Sequence, residues 1–253
     1  MFTNYVLELI KEEKRVDNRA LDELRPIKVE VGLIKKAEGS ARVKLGDTEV
    51  MVGVKLDVGE PFPDTPDQGI LITSAELSPV ASPDFEPGPP GEDAIELARV
   101  VDRSIRESKA IELEKLCIEE GEKVWMVFVD IQVVNHRGNL IDASTLGAVA
   151  ALLNAKIPKY EDGKIIRDEF KGKLPVVHQP VSVTVAKIGD KLFIDPYIDE
   201  EKVAEAMLTI GVREDNVICA MQKRGSTPLT FEEIEKALDI AIKKSKELRK
   251  HLK

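Results

Sequence analysis

No stretch of the 253-residue chain approaches the ~20 consecutive apolar residues that a membrane-crossing helix needs. The first residues, MFTNYVLELIKEEKR, are charged and amphipathic rather than signal-like, so a cytoplasmic protein with no membrane partner is expected. Cysteine is scarce. Cys117 and Cys219 lie far apart in apolar, strand-like segments with no CxxC pair, which points to reduced, buried thiols rather than a disulfide framework or thiolate metal site. The three histidines, His136, His178 and His251, lack a ligand spacing such as HxxxH, so no zinc is expected. Positive charge is also in deficit: 37 basic residues against 46 acidic ones leave −9. That balance argues against a free-standing nucleic-acid binder that draws its affinity from overall phosphate neutralisation, so any RNA or DNA contact must be local. Only four glutamines occur in a chain that is 33% charged, a composition that leans toward a thermophilic source.

What is present suits a folded α+β protein, with 43% hydrophobic residues and enough length for one large domain or two modest ones. Periodicity predicts an amphipathic helix over 4–15, then strands over 27–31, 41–45 and 48–58, the last two forming a hairpin across Gly46-Asp47. A strand over 70–77 precedes a long proline-rich loop, 78–91, of a length that is more often functional or interface-forming than idle. Residues 124–134, VWMVFVDIQVV, read as a buried central strand holding Trp125 and Phe128, and 144–155 as a helix buried between layers. Residues 160–175 form a charged, glycine-punctuated insertion. Beyond it the pattern restarts, with hairpins over 181–195 (turning at Gly189-Asp190) and 207–223. A final helix follows from Phe231, opened by a Thr230–Glu233 capping box, with Ile234, Leu238, Ile242 and Leu248 as its apolar face. Both halves read as strands followed by helix, which suggests an internal duplication and this division: an N-terminal helix and arm (1–25), a first lobe (26–157), an inter-lobe insertion (158–178) and a second lobe with the C-terminal helix (179–253).

The helix predicted after the proline loop carries Arg99, Arg103 and Arg106 on one stripe in an otherwise acidic protein. Like charges four residues apart repel by a few tenths of a kcal/mol unless something negative lies opposite, and a polyanion would supply it. The alternative is a solvated face neutralised from within, by Glu96 with Arg99, Asp102 with Arg106 and Glu107 with Arg103. The Lys223–Thr227 stretch, KRGST, likewise reads either as an anion-binding loop or as a turn entering the last helix.

Five blocks in order carry a resemblance to the RNase PH family: RVDNRALDELRPIKVEVG (15–32), GSARVKLGDTEVMVGVKL (39–56), DTPDQG (64–69), ASPDFEPGPPGEDAIELARVVDRSIRES (81–108) and IDASTLGAVAALLN (141–154). Within the family the chain is most similar to the non-catalytic RNase PH-like subunits of the archaeal exosome. The resemblance implies a fold of two similar lobes, each a mixed sheet packed against helices. It implies a phosphorolytic 3′-to-5′ RNA-degrading hexameric ring, a trimer of heterodimers in which this chain pairs with a catalytic RNase PH-like subunit, under RNA-binding cap subunits. Single-stranded RNA is the expected ligand, with Arg99 and Arg103, and less clearly Arg106, on the RNA path. Inorganic phosphate and a divalent metal are expected only at the partner's active site, with no cofactor, metal or catalytic residue in this chain.

The last expectation follows from departures from the family's pattern. Active members carry two aspartates in a D-x-x-x-x-x-D segment, which aligns with EKVAEAM and puts Glu201 and Met207 at the two positions; a thioether neither binds Mg²⁺ well nor moves a proton at neutral pH. Where active members hold phosphate with Ser/Thr-Arg, the alignment places Leu140 and Ile141, with Arg137 as the nearest substitute or else a solvated turn residue. Two other functions stay open: a self-sufficient phosphorolytic 3′-to-5′ exoribonuclease, and a scaffold whose arginine stripe forms only intersubunit salt bridges.

Overall fold

The computed structural model describes residues 2–252. Helix α1 (Phe2–Lys11) ends four residues before the periodicity predicts. Glu13 takes a left-handed backbone (φ 59°), while Lys14 and Glu13 donate their N–H groups to Leu9 and Ile10 carbonyls at 2.9 and 3.0 Å. This is a Schellman stop built without glycine, the residue that normally announces one.

Strands β1 (Ile27–Val31), β2 (Gly39–Leu45) and β3 (Thr48–Gly59) follow, with Leu45 opposite Thr48 across the expected Gly46-Asp47 hairpin. Next come β4 (Ile70–Leu77), α2 (Glu92–Glu107), the short β5 (Cys117–Glu119) and β6 (Lys123–Asn135). They form a six-stranded sheet in the order β1-β2-β3-β6-β4, with β5 also on β6; β4 runs parallel to β6 and makes this the mixed sheet. Strand β6 is central as expected, but it is buried on one face only: Trp125, Val127, Val129, Ile131 and Val133 point into the core, whereas Met126 and Phe128 lie half-exposed on a face without a helical cover.

Helix α3 (Leu140–Asn154) begins four residues earlier than predicted, and every residue from Ile141 to Leu152 is buried. It packs on β2 and β3 with one side and on the second sheet with the other, which is why it is apolar all round. That second sheet, β10-β9-β11-β12, is antiparallel and consists of β9 (Val181–Ile188), β10 (Lys191–Ile194), β11 (Ala206–Val212) and β12 (Ile218–Arg224). The short α4 (Ile198–Glu201) leads from β10 toward β11. Helix α5 (Phe231–Arg249) covers the second sheet with the predicted Thr230–Glu233 capping box. Its most buried residues are Ala237, Ala241, Ser245 and Leu248; the expected Ile234, Leu238 and Ile242 are half-buried flanks. Residues 160–175 are not an irregular insertion. They belong to a hairpin of β7 (Lys156–Glu161) and β8 (Lys164–Lys173), turned at Asp162 and Gly163 in left-handed backbone and clamped to β3 by Arg167, which donates to Glu38 (2.8 Å) and the Leu56 carbonyl (3.2 Å).

The arm after α1 is held by buried charge. Arg15, 1% exposed, forms a two-pronged pair with Glu200 (2.7 and 2.6 Å) and also donates to the Ile194 and Asp195 carbonyls. Asp195 accepts from Arg19 (2.9 Å) and from Arg25 twice (2.9 and 2.6 Å); Arg25 reaches on to the Arg137 and Gly138 carbonyls. Deleting one member strands a desolvated charge. Glu200→Ala is therefore expected to lose about 3–5 kcal/mol in urea unfolding, while the paired swap Arg15→Met/Glu200→Leu recovers most of it. A single variant as stable as the wild type would show that the pair carries no such constraint.

Candidate functional site

The chain turns into α3 through Gly138 and Asn139, both in left-handed backbone (φ 92° and 57°). A Cβ on Gly138 would lie 2.5 Å from the Pro196 carbonyl, so this turn and the start of α4 can approach only because glycine is there. Against the turn lies a cavity of about 100 Å³ whose lining includes Leu140, Ile141, Glu201 and Met207. The four positions that the resemblance led one to expect at the phosphate-binding and carboxylate places thus line one cavity. Its polar side also includes Asn139, Thr184, Thr209, His136 and Arg224, with the carboxylates of Asp93 and Glu96.

Glu201 is the cavity's one carboxyl of the expected pair. Burial raises its pKa, opposed by the Asn139 N–H that it accepts at 2.7 Å and by Arg224 and Arg25. Met207, 9% exposed, supplies no second carboxylate, and the side chains of Leu140 and Ile141 offer no donor to an anion. Among the described residues no group of three or more His, Cys, Asp or Glu side chains is placed to hold a metal ion. His136 stacks on Phe85 of the proline loop (centroids 5.4 Å apart), and burial lowers its pKa.

Behind the cavity stands a polar cluster that the sequence did not reveal. Asp142 accepts from the Thr184 N–H and hydroxyl (2.8 Å each) and from the Asn139 amide (2.9 Å), which also donates to Asp195. Burial pushes Asp142 up to about 7 against those three bonds. For Asp195, burial works in the same direction but Arg25 and Arg19 outweigh it and hold the carboxyl below its ordinary value. The only hint was one aspartate within the apolar run IDASTLGAVAALLN.

The arginine stripe lies on the exposed face of α2 and separates into two kinds. Arg106 is engaged, donating twice to Asp102 (2.9 Å each) and once to the Leu71 carbonyl (2.9 Å). Arg99 and Arg103 are exposed and, among the described residues, make no ion pair or hydrogen bond. The acid expected to neutralise Arg99, Glu96, instead pairs with Arg224 at 3.2 Å. Arg137 is an exposed turn residue whose carbonyl, not its guanidinium, is used. In the Lys223–Thr227 stretch, Lys223 and Arg224 end β12 and the chain then bends, with Gly225 in left-handed backbone and the Thr227 N–H given to the Glu205 carbonyl. Cys117 and Cys219 are free thiols, half-buried rather than buried, and burial pushes Cys219 up to about 11.

Models of the 3′ exoribonuclease family match residues 23–158 (domain 1) and 178–244 (domain 2). The chain belongs to this family, the RNase PH family. Its similar relatives include the Exosome complex component Rrp42 of Methanothermobacter thermautotrophicus, 51% identical over 98% of this chain and 92% of the relative, and that of Pyrococcus furiosus, 53% identical over 98% and 91%. A chain of the Archaeoglobus fulgidus exosome with RNA bound to the active site superposes with a TM-score of 0.93 at 49% identity, covering 100% of this chain and 98% of that one. A chain of an archaeal exosome core gives 0.89 at 47%, over 99% and 96%. Rice Rrp46, at 18% identity and a TM-score of 0.71, shares the fold.

The raised carboxyl of Asp142 has a pH signature. A folded value of about 7 against an ordinary 3.8 means that the folded state binds this proton more tightly, so its contribution to stability is full below about 4 and is lost as pH rises toward 7. Urea unfolding of Asp142→Asn between pH 4 and 8 is expected to show a flatter profile than the wild type. Parallel profiles would mean that Asp142 does not titrate in this range.

Proposed function

We propose that this chain is a non-catalytic, RNA-guiding subunit of an archaeal exosome, a ring that degrades RNA phosphorolytically from the 3′ end. The observation that carries the reading is the composition of the cavity at the start of α3, where Glu201 faces Met207 and the phosphate-binding positions are Leu140 and Ile141. Phosphorolysis needs a held phosphate dianion and a group that stabilises or protonates the leaving oxygen; a thioether at one expected carboxylate position and aliphatic side chains at the two expected phosphate positions supply neither requirement. The chemistry therefore belongs to a catalytic RNase PH-like subunit beside this one, where inorganic phosphate and a divalent metal would act. Three such pairs would close a hexameric ring in the cytoplasm, capped by RNA-binding subunits. Among the described residues no helix is long and apolar enough to cross a membrane.

Arg99 and Arg103 are this chain's contribution to single-stranded RNA. Two free guanidiniums one helical turn apart suit phosphate oxygens, and their local field attracts a polyanion although the chain is acidic overall. Arg106, tied to Asp102 and β4, braces the helix that presents them.

The purified chain alone is expected to release no nucleoside diphosphate from single-stranded RNA and phosphate. Mixed with a catalytic RNase PH-like partner, it should raise the partner's rate well above that of the partner by itself. Phosphorolysis by this chain alone would make it a self-sufficient exoribonuclease instead. In the assembled ring, Arg99→Glu/Arg103→Glu is expected to slow RNA degradation at least tenfold, on the order of two charge-assisted hydrogen bonds, with the ring intact by light scattering. Glu201→Gln should change the rate less than twofold. A ring that dissociates on the arginine exchange would favour a scaffolding role for the stripe.

A further inference from the structure

Arg99 and Arg103 do not stand alone on a bare helix face. They line a groove of about 370 Å³ between α2 and β12, together with Glu92, Ile95, Glu96, Val100 and Gln222. Ile95, one helical turn before Arg99, is 49% exposed, so an apolar side chain is offered to solvent beside two unpaired guanidiniums. Gln222 comes from the other wall, opposite Thr209 in the β11–β12 ladder. Its amide nitrogen points to Glu96 Oε1 at 3.5 Å, the outer limit of a hydrogen bond. Glu96 is itself held by Arg224 at 3.2 Å, with Asp93 also near that guanidinium at 3.9 Å. Because the nitrogen is turned to a carboxylate, the amide oxygen of Gln222 is left as a neutral acceptor in a groove whose free cations are Arg99 and Arg103 and whose free carboxylate, Glu92, stands at the first residue of α2, about two turns before Arg99.

These groups match the parts of one nucleotide. A phosphate requires donors, a sugar or base face requires apolar surface, and a ribose 2′-hydroxyl requires an acceptor that does not repel the neighbouring phosphate, as a carboxylate would. We propose that the groove between α2 and β12 is a nucleotide subsite for RNA, in which Arg99 and Arg103 hold successive phosphates, Ile95 packs on the ribose or base, and the Gln222 amide oxygen accepts the 2′-hydroxyl. The subsite rests on the RNA-path reading of the arginines and adds to it a means of telling RNA from DNA.

The test uses the ring assembled from this chain and its catalytic partner. Inorganic phosphate is withheld so that nothing is degraded, and labelled single-stranded RNA and DNA of one sequence are compared by fluorescence anisotropy. Gln222→Met, which keeps the side chain's shape, is expected to weaken RNA binding about three- to tenfold, the loss of one hydrogen bond, and to leave DNA binding unchanged. Ile95→Ser should weaken both equally, and Arg99→Ala/Arg103→Ala should weaken both and flatten the salt dependence. If the arginine variants lose binding while Gln222→Met leaves the RNA-to-DNA ratio unchanged, or lowers both affinities together, the 2′-hydroxyl contact is refuted and the RNA path stands. If the arginine variants bind both strands as the wild type does, the RNA path fails and the subsite with it.

Discussion

Three guanidiniums withdrawn from water against two carboxylates set the frame of this molecule. Arg15, Arg19 and Arg25 all come from one short arm, and Asp195 and Glu200 come from the strand end and helix that follow the β9–β10 hairpin. Each ion would be prohibitive to bury alone, so the arm has essentially one place to lie once the second sheet exists. Arg25 then reaches past its carboxylate to the Arg137 and Gly138 carbonyls and fixes the turn that opens α3. The cavity's shape is inherited from that turn. The charges that hold this backbone, Arg25 and Asp195, thus stand outside the lining of the cavity itself.

The same separation explains the electrostatics of the surface. Most cations near α2 are consumed locally: Arg106 by Asp102, and Arg224 by Glu96 and Asp93. What remains uncompensated is the pair Arg99 and Arg103. A net charge of −9 screens the protein from indiscriminate contact with polyanions while leaving one positive spot on a rigid helix.

Much of this was legible in the sequence. The Gly46-Asp47 and Gly189-Asp190 hairpins, the Thr230–Glu233 cap and the strand patterns are local signals, and local signals survive the absence of tertiary context. The end of α1 did not show because Glu13 stands where glycine would mark the stop, and the β7–β8 hairpin was hidden by its charged, exposed residues. The cavity's key positions were found by resemblance, since Glu201 and Leu140 lie 61 residues apart and nothing local links them. The Asp142–Asn139–Asp195 cluster was invisible for a related reason: a polar residue reads as exposed until its partners, distant in sequence, are known. Of the arginine stripe, the sequence already offered Asp102 as a partner for Arg106, which the geometry bears out, and only the geometry shows that Glu96 turns away from Arg99 to Arg224.

The burial of α3 on all sides bears on how this chain is made. The helix lies within the portion matched by the first family model, yet one of its flanks is covered by β9, which belongs to the second. A nascent chain that has emerged only as far as the end of α3 therefore presents an apolar helix flank with nothing to pack against. Within the first half that flank has no cover, and the strands that supply it are synthesised later. A boundary that is clean in the sequence families runs, in three dimensions, through the middle of a shared core.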